Sequence, residues 1–272
     1  MSRARFDESY GANPAENYER FFTPAIGEPL AQALLERAAV QPKERVLDVA
    51  CGTGVVSRLL AQSLRPNGGL AGLDPNPAML AVARSVIPAS EGIQWYEAAA
   101  EKMPLPAESF DVVLCQMGLQ FMPDRSAALQ EMRRVLSRNG RLLLSLPGPI
   151  PGIFDDLASA LGRCVGPPAA GFVRQVFSLH DLAEVEGIIR GAGFEQVEVQ
   201  AEEYDLQLPP PQQFLWQYVH STPLSVSVSQ MDEPARAEFE REVLDAWASS
   251  GGDGGLGLRL RMVVASATRA AA

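Results

Sequence analysis

The chain has 272 residues, 47% hydrophobic and 21% charged, which is ordinary globular usage; wholesale disorder is excluded and the length suffices for a sizeable core. Its 33 acidic against 23 basic residues give a formal net charge of -10, the wrong sign for a phosphate-rich partner, so tRNA, rRNA and DNA fall away as substrates. Three scattered cysteines, Cys51, Cys115 and Cys164, form no CxxC pair and no cluster with histidine, which excludes a zinc site and fits reduced thiols. The first residues carry no apolar leader, and the longest apolar candidate, 142–154, is broken by Pro147, Pro149 and Pro151. The expectation is a cytoplasmic protein with no membrane span, no metal and no nucleic-acid partner, with a homodimer left open.

In chain order, residues 1–26 are polar and aromatic. A helix over 16–22 would either lay Tyr18, Phe21 and Phe22 over a pocket or pack them on the core. Leu30, Ala33, Leu34, Leu35 and Ala38 make one helical face over 29–40, and Pro42 stops it. The stretch 45–60, RVLDVACGTGVVSRLL, organises everything after it. Val46 to Val49 reads as a buried strand, Gly52 and Gly54 permit a sharp turn, and Val55, Val56, Leu59, Leu60 and Leu64 share a helical face. Such a turn leaves backbone N–H groups and a helix N-terminus facing open space at the carboxyl edge of a sheet.

A turn at Asn67-Gly68-Gly69 leads to a second strand over 70–73 that ends at Asp74. A helix over 75–86 turns Met79, Leu80, Ala83, Val86 and Ile87 inward, and 93–96 is a third strand. After a loop over 98–109 comes a fourth, almost wholly apolar strand at 110–115. A helix over 126–137 is ended by Asn139-Gly140 in a left-handed turn, and 141–146 is the fifth strand. Beyond Pro147 a helix over 154–164 stands between Pro/Gly pairs, and Ser178 caps a helix to Gly191 with Asp181 at its capping-box position. A strand at 194–199 follows, then helices at 212–218 and 233–248, then a closing strand over 258–264. Apolar strands alternating with helices predict an α/β fold: a doubly wound, mostly parallel seven-stranded sheet in a single domain over 1–272. The N-terminal cap is 1–28, and helical lid insertions fall at 148–177 and 209–250.

A glycine turn after the first strand and an acid at the tip of the second serve dinucleotides and other adenosine-containing cofactors alike. Here Gly52-Thr53-Gly54 is followed by Val55-Val56-Ser57, without the third glycine of the dinucleotide fingerprint, and Asp48 stands inside the first strand; both weigh against NAD. VLDVACGTG resembles the first motif of the class I S-adenosylmethionine-dependent methyltransferases, and the run from Leu73-Asp74-Pro75 to Leu80 resembles their second. Ala100 to Leu105 is similar to the family's loop beside the adenine, Ser109 to Val113 to its fourth-strand motif, and LQEMRRVLSRNGRLLLSL to the helix and strand that follow. The nearest subgroup in form is the small-molecule type resembling the ubiquinone/menaquinone-biosynthesis methyltransferases. The resemblance is firm over 46–146 and loose elsewhere.

The resemblance implies a Rossmann-like fold and S-adenosyl-L-methionine as cofactor. It places the donor's methionine part at Asp48, Ala50, Gly52, Thr53 and Gly54, and the ribose diol on Asp74. Pro75 and Met79 would line ribose and adenine, Ala100 and Glu101 would flank the adenine edge, and Gln116 would stand near the sulfonium, with Tyr18 a further contact. The chain departs from many relatives in having Ala98-Ala99-Ala100-Glu101 where an Asp precedes the alanine, so the adenine amino group falls to Glu101 or to backbone. Asp48 has a competing structural role, bonding to backbone N–H groups of the turn; Met79 has one as helix core, and Cys51 reads as a small turn residue. Phe22, Phe172, Trp216 and Tyr218 are the expected lining of an apolar substrate pocket, and His220 is the candidate catalytic base. The expected reaction is in-line transfer of a methyl group to a small apolar or aromatic metabolite. The competing readings are an NAD-dependent oxidoreductase on a related sheet and a non-catalytic cofactor-binding protein.

Overall fold

The computed structural model describes residues 10, 13–61, 64, 69–248, 251–252 and 255–270; the turn expected at 67–68 lies outside them. The strands are β1 (Arg45–Val49), β2 (Gly69–Asp74), β3 (Gln94–Glu97), β4 (Phe110–Gln116), β5 (Leu136–Pro147), β6 (Glu195–Leu208), β7 (Gly251–Gly252) and β8 (Gly255–Thr268). Seven of them form one sheet in the order β3-β2-β1-β4-β5-β8-β6, and the two-residue β7 pairs with β8. β1 to β5 run parallel, whereas β8 is antiparallel to β5, from Arg141 opposite Thr268 to Pro147 opposite Met262. Chain order reverses between β1 and β4, and the carboxyl ends of these neighbours flank the point where open α/β sheets take their ligands.

Helices α1 (Pro14–Asn17), α2 (Glu28–Ala38), α3 (Val55–Ala61), α4 (Pro77–Val86) and α5 (Arg125–Val135) precede or interleave the first five strands. They are followed by α6 (Gly152–Cys164), α7 (Pro167–Val176), α8 (Leu182–Gly191), α9 (Pro211–His220), α10 (Leu224–Ser229) and α11 (Glu233–Trp247). The chain forms two compact units. A sheet unit comprises Glu28–Gly148, Phe177–Glu202 and Arg261–Ala272; a helical unit comprises Met1–Gly27, Pro149–Val176 and Glu203–Leu260.

Within the sheet unit the central strands β1, β2 and β4 are buried on both faces, which is why they read as mostly apolar runs, whereas the edge strand β3 is not. One face carries Leu47, Val49, Val113, Cys115 and Leu144, packed with Leu129 and Met132 of α5 and Val185 and Ile189 of α8. The other carries Val46, Val112, Leu114 and Leu143 against Leu34 of α2 and Val56 and Leu60 of α3. Each such side chain contributes about 1.5–3 kcal/mol by leaving water. The helical unit buries Phe239, Val243 and Trp247 of α11, and the Trp247 indole donates to the Ile153 carbonyl at 2.8 Å.

Several elements differ from expectation for identifiable reasons. The helix expected at 16–22 starts at Pro14, capped by Asn13, and passes into a π-helical stretch, Tyr18–Gly27, that joins α2. Pro24 lies inside that stretch; it has no N–H to give, and its ring would strike the carbonyl four residues back in an α-helix, a conflict the wider register relieves. The pair Pro167-Pro168, read as a breaker, instead opens α7, where a missing N–H costs nothing. α8 is capped by Asp181 accepting from Glu184 N–H at 2.8 Å, not by Ser178. Val86, expected inside, is 39% exposed. α5 ends at Val135 and β5 begins at once, with Asn139 left-handed (φ 61°), as its sequence predicts, at the register shift opposite β4.

Candidate active site

β1 delivers the chain into a turn whose backbone is left-handed at Ala50 (φ 56°), Gly52 (φ 55°) and Gly54 (φ 83°). Cys51 N–H donates to Leu73 O at 3.1 Å, Gly54 N–H to Cys51 O at 2.8 Å, and Arg58 N–H to Gly54 O at 2.8 Å. The two glycines answer to different demands. A Cβ on Gly54 would stand 2.9 Å from the Trp95 ring and 3.0 Å from Ile87, whereas one on Gly52 would meet nothing within 4 Å. Gly52 therefore borders open space. Ala50 keeps a conformation that costs an L-residue about 1–2 kcal/mol, the kind of strain that collects at functional sites.

Asp74, at the tip of β2, accepts from Gly52 N–H at 2.9 Å and from Asn76 N–H at 2.8 Å, one bond to each oxygen. The carboxylate thus ties the turn after β1 to the turn after β2 and keeps lone pairs on both oxygens. Burial raises its pKa, against the two N–H bonds that lower it. Asn76 in turn caps α4, accepting from Ala78 N–H at 2.9 Å; beside it Pro75 is exposed and Met79 half-buried.

Asp48 is buried on β1 and accepts from Ser57 of α3, from N–H at 3.2 Å and from Oγ at 2.8 Å. Burial pushes its pKa up to about 7, the Ser57 bonds oppose that, and the Asp74 charge adds to it. Thr53 is fully enclosed, and its Oγ1 has no hydrogen-bond partner among the described residues. Burial also pushes the Cys51 thiol up, and the Cys115 thiol up to about 12, so neither is a thiolate nucleophile.

The turn after β4 lies against this one: a Cβ on Gly118 would come 2.6 Å from Ala50 Cβ. Gln116 is buried at the strand end, and Met117, left-handed at φ 50°, donates its N–H to Ser145 O at 2.7 Å. On the other side, Ala98 N–H donates to Asp74 O at 3.3 Å, Ala100 is buried, and Glu101 is half-buried with Oε1 accepting from Asp124 N–H at 3.4 Å. The loop after Glu101 is fastened from α5. Met103 N–H donates to Glu131 Oε2 at 2.8 Å, while Arg134 holds that carboxylate and donates to Leu105 O at 2.8 Å and Met103 O at 3.2 Å.

The remaining expected residues lie in the helical unit. Tyr18 stacks on Phe22 at 4.6 Å, Phe22 stands 6.5 Å from Tyr218, and Tyr218 packs on Phe154 at 5.2 Å and Phe214 at 6.0 Å. Burial pushes the Tyr218 hydroxyl pKa up. Trp216 packs on α11, with its indole N–H on Glu240 at 3.0 Å and its ring 6.1 Å from Phe239. Phe172 is half-buried on α7. His220, at the end of α9, lies parallel to Tyr10 at 4.5 Å, and its carbonyl accepts from Asn17 Nδ2 at 3.3 Å.

The sequence matches the methyltransferase domain family over residues 47–144. It is 32% identical, over 178 residues, to the ubiquinone/menaquinone biosynthesis C-methyltransferase UbiE of Ectopseudomonas mendocina, an alignment covering 60% of this chain and 70% of that relative. The chain belongs to the S-adenosylmethionine-dependent methyltransferases. Among solved structures, the fold of this methyltransferase is shared by the Bacillus subtilis YcgJ protein (TM-score 0.56, 19% identity, 88% of this chain and 97% of that one). It is shared also by Haemonchus contortus phosphoethanolamine N-methyltransferase 2 in complex with S-adenosyl-L-methionine (TM-score 0.61, 17% identity, 99% and 61%). Its cofactor is S-adenosylmethionine.

In this methyltransferase no helix among the described residues is long and apolar enough to cross a membrane, and no group of three His, Cys, Asp or Glu among them could hold a metal ion. Sequence reasoning missed Glu131 and Arg134, which fasten the loop beside Ala100, although their three-residue spacing on a helix was visible. It also missed Phe154 as a partner of Tyr218, and nothing in either local sequence signals that contact.

Proposed function

We propose that this methyltransferase holds its donor at the turn after β1 and passes the methyl group, by in-line displacement, to a small apolar or aromatic metabolite. The observation that carries the reading is Asp74, which bonds to both flanking turns and still offers lone pairs on each oxygen at the edge of open space. An acceptor-only carboxylate of this kind suits a vicinal diol. The enclosed Thr53 hydroxyl fits the same ligand, as an orphaned polar group beside the donor's amino-acid end. Gly52 and Gly54 spend their N–H groups on Asp74 and Cys51, so the glycines serve by leaving room and not as donors.

Pro75, Met79 and Ala100 offer apolar surface for the adenine, and Glu101 keeps one oxygen for its amino group. When bound, S-adenosylmethionine supplies a methyl group on a positive sulfur, already a strong electrophile. The protein's part is to align the nucleophile and exclude water, a positioning effect that supplies up to about 7–11 kcal/mol. The acceptor class rests on the aromatic side chains Tyr18, Phe22, Phe154, Phe214 and Tyr218 and on the quinone-pathway C-methylation in the relative's name. His220, stacked by Tyr10, is the candidate base for an acceptor that must lose a proton. The net charge of -10 supports a small molecule and not nucleic acid.

Titration calorimetry tests the donor site directly. S-adenosylhomocysteine binds, NADH does not, and Asp74→Ala weakens binding about a hundredfold, because bonds to a charged acceptor contribute about 1.5–3 kcal/mol each. Near-normal affinity of Asp74→Ala removes the assignment. Labelled S-adenosylmethionine incubated with an apolar metabolite extract then shows transfer; binding without transfer favours a non-catalytic role.

A further inference from the structure

The two faces of the sheet end differently at the carboxyl edge. Val49, Cys115, Leu144 and Leu146 keep one face apolar to the strand ends. On the other, the two-residue period places Asp48 after Val46, Gln116 after Leu114 and Ser145 after Leu143, so polar side chains replace apolar ones there alone. Gln116 and Ser145 stand opposite each other in the β4–β5 register.

Just past β4, Met117 binds Ser145 and Gln120 through the two ends of its own backbone. Its N–H donates to Ser145 O at 2.7 Å, and its carbonyl accepts from Gln120 Nε2 at 3.0 Å. The second bond fixes which way the Gln120 amide points and leaves Oε1 as an acceptor. Gln120 and Ser145 are 2% and 4% exposed, yet Gln120 Oε1 and Ser145 Oγ have no hydrogen-bond partner among the described residues. Buried polar atoms left this way destabilise a fold unless a ligand or water meets them. The next residue, Gly118, packs against Ala50 of the turn after β1, so the backbone that binds Gln120 and Ser145 adjoins that turn.

We propose that Gln120 and Ser145 recognise a neutral hydroxyl group on the methyl acceptor, its O–H donating to Gln120 Oε1 and its oxygen accepting from Ser145 Oγ. An alkyl group leaves both oxygens bare. An ammonium leaves the Ser145 proton without an acceptor, and an anion meets an acceptor oxygen together with the Asp74 carboxylate on the turn after β2. The acceptor class narrows to hydroxyl-bearing apolar compounds, a phenol or enol. This rests on the donor site proposed above.

The test uses the full chain saturated with S-adenosylhomocysteine and matched probes differing by one hydroxyl, 1-naphthol against naphthalene and phenol against benzene, in equilibrium dialysis. Wild type binds the hydroxylated member about tenfold tighter, Ser145→Ala and Gln120→Met lose that preference, and Ser145→Thr keeps it. Ser145→Ala also melts no lower than wild type, since it removes an unsatisfied hydroxyl, and binds S-adenosylhomocysteine within twofold of wild type. Three results overturn the proposal: no preference in wild type; a large loss of S-adenosylhomocysteine affinity in Ser145→Ala with the preference intact, which gives the pair to the donor; or a lower melting temperature with the preference intact, which marks a structural water site. If wild type fails to bind S-adenosylhomocysteine at all, the donor site itself falls, and that outcome is separate from the other three.

Discussion

In the sheet unit the turns at the carboxyl edge are held by directed bonds between peptide groups and charged side chains: Asp74 to Gly52 and Asn76, and Glu131 with Arg134 to Met103 and Leu105. In the helical unit the aromatic groups are held mostly by ring packing, Tyr218 against Phe154 and Phe214, and Phe214 against Trp247 at 5.9 Å. Directed bonds fix individual atoms, whereas ring packing fixes a volume and leaves its chemistry undemanding. The first suits recognition of one molecule with a fixed pattern of donors and acceptors. The second suits a class of compounds sorted by apolar shape.

The largest expected effect tests whether the second mode carries its own stability. Trp247→Ala removes a fully buried ring and its bond to Ile153 O, and should cost about 3–5 kcal/mol in denaturant unfolding. S-adenosylhomocysteine affinity of the folded fraction should stay within twofold; a parallel loss breaks the contrast.

Next come the two glycines of the turn, which separate stability from binding. Gly54→Ala combines φ 83° with a contact at 2.9 Å to Trp95, and should lower stability by about 2–4 kcal/mol. Gly52→Ala has room for its Cβ and should cost only about 1–2 kcal/mol, yet it intrudes on the open space and should weaken S-adenosylhomocysteine about tenfold or more. Equal melting temperatures for the two variants would contradict this division.

The smallest effect is a pH dependence. Asp48 has a folded pKa of about 7 against 3.8 for the free side chain, so the folded state keeps a proton that the unfolded chain releases. Its contribution to stability is whole below the unfolded value and is lost as pH rises through about 7. Asp48→Asn lacks that loss. Its stability relative to wild type should grow by about 1 kcal/mol between roughly pH 6 and 7, read by denaturant midpoints.

The fold was legible where local chemistry and tertiary demand agree, as were the glycine turn and the strand-tip acid to which the donor is assigned. Val46, Leu47 and Val49 of β1 are apolar because both faces of the strand are covered, and Asp74 announces itself as the acid at a strand tip. The π-helical stretch around Pro24 and the start of α7 at Pro167 were not legible, because proline marks an interruption and a helix start with the same letter. β6 runs to Leu208, past the alternating stretch expected at 194–199, because Ala201-Glu202-Glu203 interrupts the alternation before Tyr204, Leu206 and Leu208 resume it. Within the site, that Asp74 already holds two turns was invisible, as backbone partners leave no trace in residue types. Ser145 passed unnoticed because one polar residue in an apolar strand acquires meaning only from its neighbours in the sheet, and Gln120 because its partner is the backbone carbonyl of Met117.

One half-buried ring reaches further than its strand. The Trp95 indole lies where a side chain on Gly54 would go, and also where one on Gly72 of β2 would go, at 2.4 Å. The bulk at position 95 therefore crowds two positions far from it in sequence, its cross-strand neighbour Gly72 and Gly54 inside the glycine motif itself. Substituting Trp95 with a smaller residue should remove the two closest contacts at position 72 and leave Cys51 Sγ at 3.0 Å, while position 54 stays bound by its left-handed backbone and by Ile87 at 3.0 Å. The second glycine of the motif is thus a tenant of the tryptophan before any ligand arrives.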